Sequence, residues 1–328
     1  MSLTLPKRYA LAHLPTPIEK LERLSQLFEG PDIYIKRDDL TGMGKTGNKV
    51  RKLEFLVADA MQEGAQCLIT CGGAQSNHAR ATALAAAKAG LKSHLVLRDS
   101  ASGDIDGNLF IDLLVGAEVT FITSQEYEQV DDVMHRLAED YARKGIKAYV
   151  IPEGGSTALG ALGYVVAIEE VRRQMAALHL EFDHLISAVG SGGTLAGMLL
   201  GKSLYALKAQ IHGINVCDDA PYFQERISNI FREAKRRFGF ALNLQKKDIN
   251  VIDGYVGKGY GLSRQEELDL IKLVARTEGI ILDPVYTAKA MFGLKDQIRK
   301  GRFTKSEKVL FWHTGGIFGL FPKRGLFF

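Results

Sequence analysis

The 328-residue sequence predicts an α/β protein with two doubly wound, largely parallel-sheet domains, and three observations carry that prediction. Short β-branched runs alternate with helical patterns along nearly the whole chain. Several of those runs end in glycine-rich turns that open the next helix, which places function at strand carboxyl ends. The length is also about twice the ~150 residues of a typical domain. In chain order the runs Asp32–Lys36, Gln66–Cys71, His94–Leu97, Glu118–Ile122, Ala148–Ile151, His184–Val189, Gln210–Val216 and Lys308–Trp312 read as strands. Turns around Gly47 and at Gly154-Gly155-Ser156 bracket the middle of the chain. The expected division is therefore a discontinuous larger domain, residues 1–50 and 160–328, and a smaller one, residues 51–159.

Composition narrows the function classes. Hydrophobic residues at 46% and charged residues at 24% match an ordinary globular protein and leave no room for long disordered tracts. A net charge of +4 is too slight to imply nucleic-acid or membrane partners unless it clusters. It clusters at Arg232-Glu233-Ala234-Lys235-Arg236-Arg237, which reads as a solvated helix face because no stacking aromatics interleave. Cys67, Cys71 and Cys217 are an odd count without CxxC spacing, which suits free thiols in a reducing compartment and indicates no zinc site. The N-terminal stretch has no apolar signal core, and no run approaches the ~18 apolar residues of a spanning helix. A cytoplasmic enzyme acting on a small molecule is the expectation.

Four segments carry chemistry. In the first, Val50, Leu53, Val57, Ala60 and Met61 repeat at helical spacing, so a helix starts near Asn48 with Lys49 in its first turn. The positive end of the macrodipole disfavours an ammonium there, which favours the neutral, nucleophilic amine that makes Schiff bases. A solvated surface lysine is the plainer alternative. The second segment, Gly190-Ser191-Gly192-Gly193-Thr194, joins an apolar strand to a helix and forms an anion cradle suited to phosphate. It is not a dinucleotide fingerprint, because Leu195 stands where the third glycine belongs, and Met198-Leu199 replace the Lys-Ser/Thr of a nucleotide P-loop.

The third segment, Cys71-Gly72-Gly73-Ala74-Gln75-Ser76-Asn77-His78, repeats the strand, turn and helix order. Ser76 and Asn77 could grip a carboxylate or ring hydroxyl there, or serve as a plain N-cap, and His78 suits packing or capping. The fourth pairs Asp283-Pro284-Val285-Tyr286-Thr287, where Pro284 suits a first helical position capped by Asp283, with His313-Thr314-Gly315-Gly316 after a strand. Three glycine turns at one sheet edge suggest one site. Ser156 has the spacing of a nucleophile elbow but lacks its second glycine, which is Ala158. Asp38-Asp39 reads as a charged strand end.

Together with Tyr34-Ile35-Lys36-Arg37-Asp38-Asp39 and Arg51-Lys52-Leu53-Glu54, these segments resemble the D-cysteine desulfhydrase and 1-aminocyclopropane-1-carboxylate deaminase family nearly end to end. These are pyridoxal 5'-phosphate enzymes of fold type II, the tryptophan-synthase-β-like fold, with the cofactor in the cleft between two domains, the larger of which binds it. The resemblance implies that Lys49 carries the cofactor covalently, that Gly190, Ser191, Gly192, Gly193 and Thr194 with Lys52 hold its phosphate, and that Asn77 contacts the ring hydroxyl. It sets Gln75, Ser76, Asn77 and His78 around the substrate, and makes Tyr260 and Tyr286 the tyrosines that polarise it or shuttle protons. Relatives that open the cyclopropane ring usually have an acidic residue after the first tyrosine and an apolar one in the last glycine turn. Here these positions are Thr287 and Thr314, the desulfhydrase-like pair beside the cofactor ring. One departure is Thr46, which stands where the family has glycine; a positive φ would strain it.

The expected activity is α,β-elimination of D-cysteine to pyruvate, hydrogen sulfide and ammonia. The alternatives are 1-aminocyclopropane-1-carboxylate deaminase and L-cysteate sulfo-lyase with the same cofactor. From other classes come a nicotinamide-dependent oxidoreductase and a catalytically silent homologue that binds cofactor or amino acid. The relatives also imply a homodimer.

Overall fold

The computed structural model describes residues 5–98, 105–242 and 244–328. Its strands are β1 (Ile18–Lys20), β2 (Asp32–Arg37), β3 (Cys67–Gly73), β4 (Lys92–Arg98), β5 (Glu118–Ile122), β6 (Ala148–Ile151), β7 (His184–Val189), β8 (Gln210–Asn215), β9 (Asn250–Ile252) and β10 (Lys308–His313). The helices are α1 (Glu22–Phe28), α2 (Lys49–Gln62), α3 (Asn77–Ala89), α4 (Gly107–Leu114), α5 (Ser124–Tyr127), α6 (Val130–Arg143), α7 (Ala158–Leu178), α8 (Gly193–Leu204), α9 (Ala220–Phe238), α10 (Gln265–Glu278) and α11 (Thr287–Arg299). All eight expected strands are present. The two that escaped, β1 and β9, have three residues each, too few to display a period of two. β3 runs two residues further than expected because its parallel pairing with β4 continues through Gly72 and Gly73.

The strands form two sheets, as the alternating pattern requires. One has six strands in the order β1-β2-β10-β7-β8-β9, parallel except for β1. The other is the wholly parallel four-stranded sheet β5-β4-β3-β6. Residues 67–151 supply every strand of the second sheet, and the chain on either side supplies the first. Central β7 is buried at every position, because helices cover both faces of its sheet. On one face α2, α7, α8 and α9 enclose residues such as Leu53, Tyr164, Leu199 and Phe223. On the other, α1, α10 and α11 enclose Leu24, Ile271 and Leu294. Among the described residues no helix is long and apolar enough to cross a membrane.

Two features fix α2, the helix that begins at Lys49. A Cβ on Gly163 of α7 would lie 2.3 Å from the Arg51 carbonyl oxygen, so only glycine lets the two backbones approach this closely. Asp38, read as part of a charged strand end, is instead fully buried. Its carboxylate accepts from Arg51 Nε and Nη2 (2.8 Å each), Tyr164 OH (2.6 Å), Trp312 Nε1 (2.8 Å) and Thr16 Oγ1 (2.9 Å). Burial opposes the charge, but the Arg51 guanidinium outweighs it and holds the carboxyl below its ordinary range. The role is structural, as expected, though in the interior, where losing one partner strands a charge.

Candidate active site

The cavity lies where strands of both sheets end. The turn after β3 belongs to the four-stranded sheet and those after β7 and β10 to the six-stranded one, so the site expected at one sheet edge is shared between two. Lys49, Ser76, Asn77, His78, Gly190, Ser191, Gly192, Thr194, Tyr260, Tyr286 and Thr314 all line it.

Lys49 opens α2 as expected, but it is buried rather than a solvated surface lysine. Burial lowers its amine to about 8, with Glu153 opposing and Arg226 assisting the shift. Desolvation is thus the leading cause where the sequence pointed to the helix dipole. A Cβ on Gly154, at φ 66°, would come within 3.2 Å of the Lys49 nitrogen. Thr46 has no positive φ and carries no strain; Gly47 takes the φ of 107° instead. The Thr46 hydroxyl donates to the Asp39 carbonyl.

The turn after β7 leaves its helix end open. Gly192 sits at the N-cap of α8 with φ 83° and no side-chain cap. Lys52 is wholly buried beneath it and, among the described residues, donates only to the Gly154 carbonyl (3.2 Å) and Ser156 Oγ (3.3 Å). A Cβ on Gly193 would meet Ser156 Oγ at 2.6 Å and the Lys52 nitrogen at 2.8 Å, so lysine, hydroxyl and bare helix end converge. Ser156 Oγ also lies 2.8 Å from Ser191 Oγ and accepts from Gly193 N–H at 3.2 Å. By sequence Ser156 belongs to a bracketing glycine turn and an incomplete nucleophile elbow; its place on a glycine turn is the signal that it can meet the cradle. Asn48, also missed, donates from Nδ2 to Thr194 Oγ1 at 2.9 Å. Burial, then Lys49 and Arg226, pushes the Lys52 amine well below its ordinary range, and among the described residues no carboxylate pairs with it; such an amine beside a helix N-terminus whose N-cap is a glycine has the chemistry of a phosphate site.

Across the cavity Ser76 caps α3, its Oγ accepting from His78 N–H and Ala79 N–H at 3.2 Å each. Asn77 Oδ1 accepts from Asn108 Nδ2 at 3.2 Å. His78 is buried, with Nε2 3.0 Å from Thr70 Oγ1 and Nδ1 without a partner. Burial, then the nearby Lys49 and Lys52, pushes it well below the ordinary histidine range, so the ring is neutral. The hydroxyls of Tyr260 and Tyr286 touch each other. Burial raises Tyr260 to about 12 and Tyr286 further, so both are phenols at neutral pH.

Four expected site residues are not in the lining: Lys52 and Gly193 lie beneath it at the α8 turn, and Gln75 and Thr287 are engaged elsewhere. Gln75 does not line the cavity: its side chain donates to the Asp106 carbonyl (2.9 Å) and accepts from Asn108 N–H (2.8 Å). Thr287 is also outside the lining, with its hydroxyl donating to Asp283 Oδ1 at 2.7 Å. The helix expected from Pro284 starts at Thr287, because the Asp283 carboxylate accepts from the backbone of Val285, Tyr286 and Thr287 and holds that stretch as a turn. Glu153, Arg98, Cys217, Asp218 and Tyr222 complete the wall without having been singled out.

Comparison with known proteins agrees with this site. Residues 9–315 match the family described as pyridoxal-phosphate dependent enzyme. The bifunctional D-cysteine desulfhydrase/1-aminocyclopropane-1-carboxylate deaminase of Arabidopsis thaliana, mitochondrial, is 45% identical over 325 residues, covering 96% of this chain and 79% of the relative. A putative 1-aminocyclopropane-1-carboxylate deaminase of Thermotoga maritima is also 45% identical, with 96% and 98% covered. A D-cysteine desulfhydrase of Yersinia pestis is 41% identical, with 97% and 96% covered. The crystal structure of an ACC deaminase homologue superposes with a TM-score of 0.90 at 40% identity, covering 98% of this chain and 95% of that one. That of O-ureido-L-serine synthase shares the fold, with a TM-score of 0.69 at 17% identity. With its parallel-sheet cleft and phosphate-shaped cradle, the chain belongs to the pyridoxal-phosphate-dependent enzymes, in the lyase family of D-cysteine desulfhydrases and 1-aminocyclopropane-1-carboxylate deaminases.

Proposed function

We propose that the protein is a D-cysteine desulfhydrase, converting D-cysteine and water to pyruvate, hydrogen sulfide and ammonia. Lys49 is its attachment residue, the Gly190–Thr194 turn with Lys52 and Ser156 holds the phosphate, and Asn77 faces the ring. Bound pyridoxal phosphate supplies an electrophilic aldehyde and a ring that takes up electrons from the substrate α-carbon, strongly beside a carboxylate and weakly beside a neutral hydroxyl. The Lys49 nitrogen, neutral above about pH 8, takes the α-proton. Ser76 Oγ uses its lone pairs on two backbone N–H groups, which leaves its hydrogen to orient the substrate carboxylate. Tyr260 and Tyr286, both protonated, deliver a proton to the departing sulfur. His78, neutral and buried, forms part of the wall near Lys49 and Lys52.

The observation that carries sulfide loss over ring opening is Thr314, a neutral residue lining the cavity, together with the sequence position 287, where threonine replaces the acidic residue expected of ring-opening relatives although its hydroxyl is held by Asp283 outside the lining. Thiolate is a good leaving group and needs less electron withdrawal than an unactivated cyclopropane. The names of the relatives favour the deaminase as the second reading. Incubating the cofactor-loaded enzyme with D-cysteine, L-cysteate and 1-aminocyclopropane-1-carboxylate separates them: sulfide with pyruvate supports the proposal, sulfite or 2-oxobutyrate alone rejects it, and no turnover of any points to the silent homologue. Family membership leaves the nicotinamide reading without support. A homodimer and a cytoplasmic location belong to the same proposal, the latter tested by fractionation because one relative is mitochondrial.

A further inference from the structure

Tyr260 stands in Gly257-Lys258-Gly259-Tyr260-Gly261, whose glycines adopt φ of 67°, 126° and 73°. So much backbone freedom means that local structure alone cannot hold the one aromatic. Two turn bonds close the loop on itself, Gly259 N–H to the Val256 carbonyl (3.4 Å) and Leu262 N–H to the Gly259 carbonyl (3.2 Å). Beside the Arg98 guanidinium over the Tyr260 ring at 5.9 Å and the Tyr286 hydroxyl, two lysine amines hold the loop by its backbone. Lys289, wholly buried on α11, donates to the carbonyls of Val256 (2.6 Å) and Gly259 (2.7 Å). Lys323, in the C-terminal 3-10 stretch Ile317–Leu326, donates to the carbonyl of Gly261.

The Gly259 carbonyl belongs to the peptide that carries the Tyr260 N–H, so holding it fixes the plane from which Tyr260 departs. Among the described residues Lys289 makes no ion pair within 4.0 Å, and nearby Glu267 is bonded to Arg264 Nε at 2.8 Å. Seating a buried ammonium on neutral carbonyls is a poor route to stability, since desolvation is only partly offset. Lys289 also lies one turn beyond Tyr286, the N-cap of α11, so the helix whose N-cap is one phenol grips the loop that presents the other.

We propose that Lys289, with Lys323, is a positioning residue for Tyr260: its ammonium holds the loop carbonyls so that the Tyr260 hydroxyl meets that of Tyr286 in the cavity. The functional consequence rests on the proton-delivery role given to the tyrosines above; the clamp itself does not. The test compares Lys289→Met, Tyr260→Phe and the double variant in kcat and KM on D-cysteine, with amide hydrogen exchange of residues 256–262 in the cofactor-free protein as a second readout. Lys289→Met is expected to speed exchange there about tenfold, to leave cofactor absorbance unchanged, and to lower kcat about tenfold with little change in KM. In the Tyr260→Phe background the same substitution is expected to cost less than about twofold. Unchanged exchange, or an equal kcat loss with and without the Tyr260 hydroxyl, overturns the proposal. Should Lys289→Met not fold, Lys289→Gln and Lys323→Met carry the same comparison. If Tyr260→Phe turns over at the parent rate, or D-cysteine is not turned over, the assigned tyrosine role or reaction fails while the exchange data still judge the clamp.

Discussion

The turns after β3 and β7 are built alike, with an apolar parallel strand, adjacent glycines and then a helix, yet they do opposite things with the helix end. After β3, Ser76 fills the N-terminus of α3 with its own oxygen. After β7, Gly192 brings no side chain, and at the N-terminus of α8, above the buried Lys52, the Gly193 N–H is met only from outside the helix, by Ser156 Oγ. A cap satisfies backbone N–H groups internally, whereas its omission reserves them for an external anion. The same supersecondary unit thus yields one wall whose helix is capped by its own serine and one whose glycine N-cap lies above a buried lysine, with Lys49 in the same lining.

Removing the group that both turns serve has the largest expected effect. Lys49→Ala is expected to abolish covalent cofactor attachment, seen by borohydride reduction and intact mass, and to lower turnover about 10³-fold, as for a positioned proton-transfer group. Next is the uncapped side. Lys52→Met removes a charge-assisted contact worth about 2–3 kcal/mol, so cofactor affinity measured by absorbance titration falls roughly 30- to 150-fold. The same variant should leave the cofactor-free protein more stable by roughly 1 kcal/mol in urea unfolding, because it deletes a buried amine whose charge is opposed by burial, then by Lys49 and Arg226. Opposite signs for binding and stability would mark this end as built for a ligand; a loss of both would make Lys52 a structural residue like Ser76.

The pH dependence has a smaller range. With the Lys49 amine lowered to about 8, the rate of cofactor attachment should rise about tenfold per pH unit up to that value and then level, followed by stopped-flow absorbance. Because the folded amine lies below its ordinary 10.5, the unfolded chain binds more protons between these values. Lys49 therefore adds stability as pH rises through that window, and none below it. The smallest effect belongs to the capped side. Ser76→Ala should cost about 1 kcal/mol of stability by chemical denaturation, the ordinary value of an N-cap. A reduced kcat beyond that would show that the hydroxyl also acts on the substrate.

The legible parts of this protein are those written in local sequence. Alternating runs and glycine turns exposed the eight longer strands, the helix starting at Lys49 and the cradle at Gly190–Thr194, because periodicity and turn chemistry act over a few residues. Partner choice is not local. Gln75 and Thr287 carry suitable groups within the right motifs, but Asn108 and Asp283 engage them, and only folding brings those partners together. Ser156 was passed over for the converse reason: it joins the cradle only because α8 packs against the turn before α7. The chain order alone therefore determined the fold class and the chemical types gathered at strand ends. The tertiary structure decided which hydroxyls and amides remain free to act, because a buried polar group takes whatever partner the packing supplies.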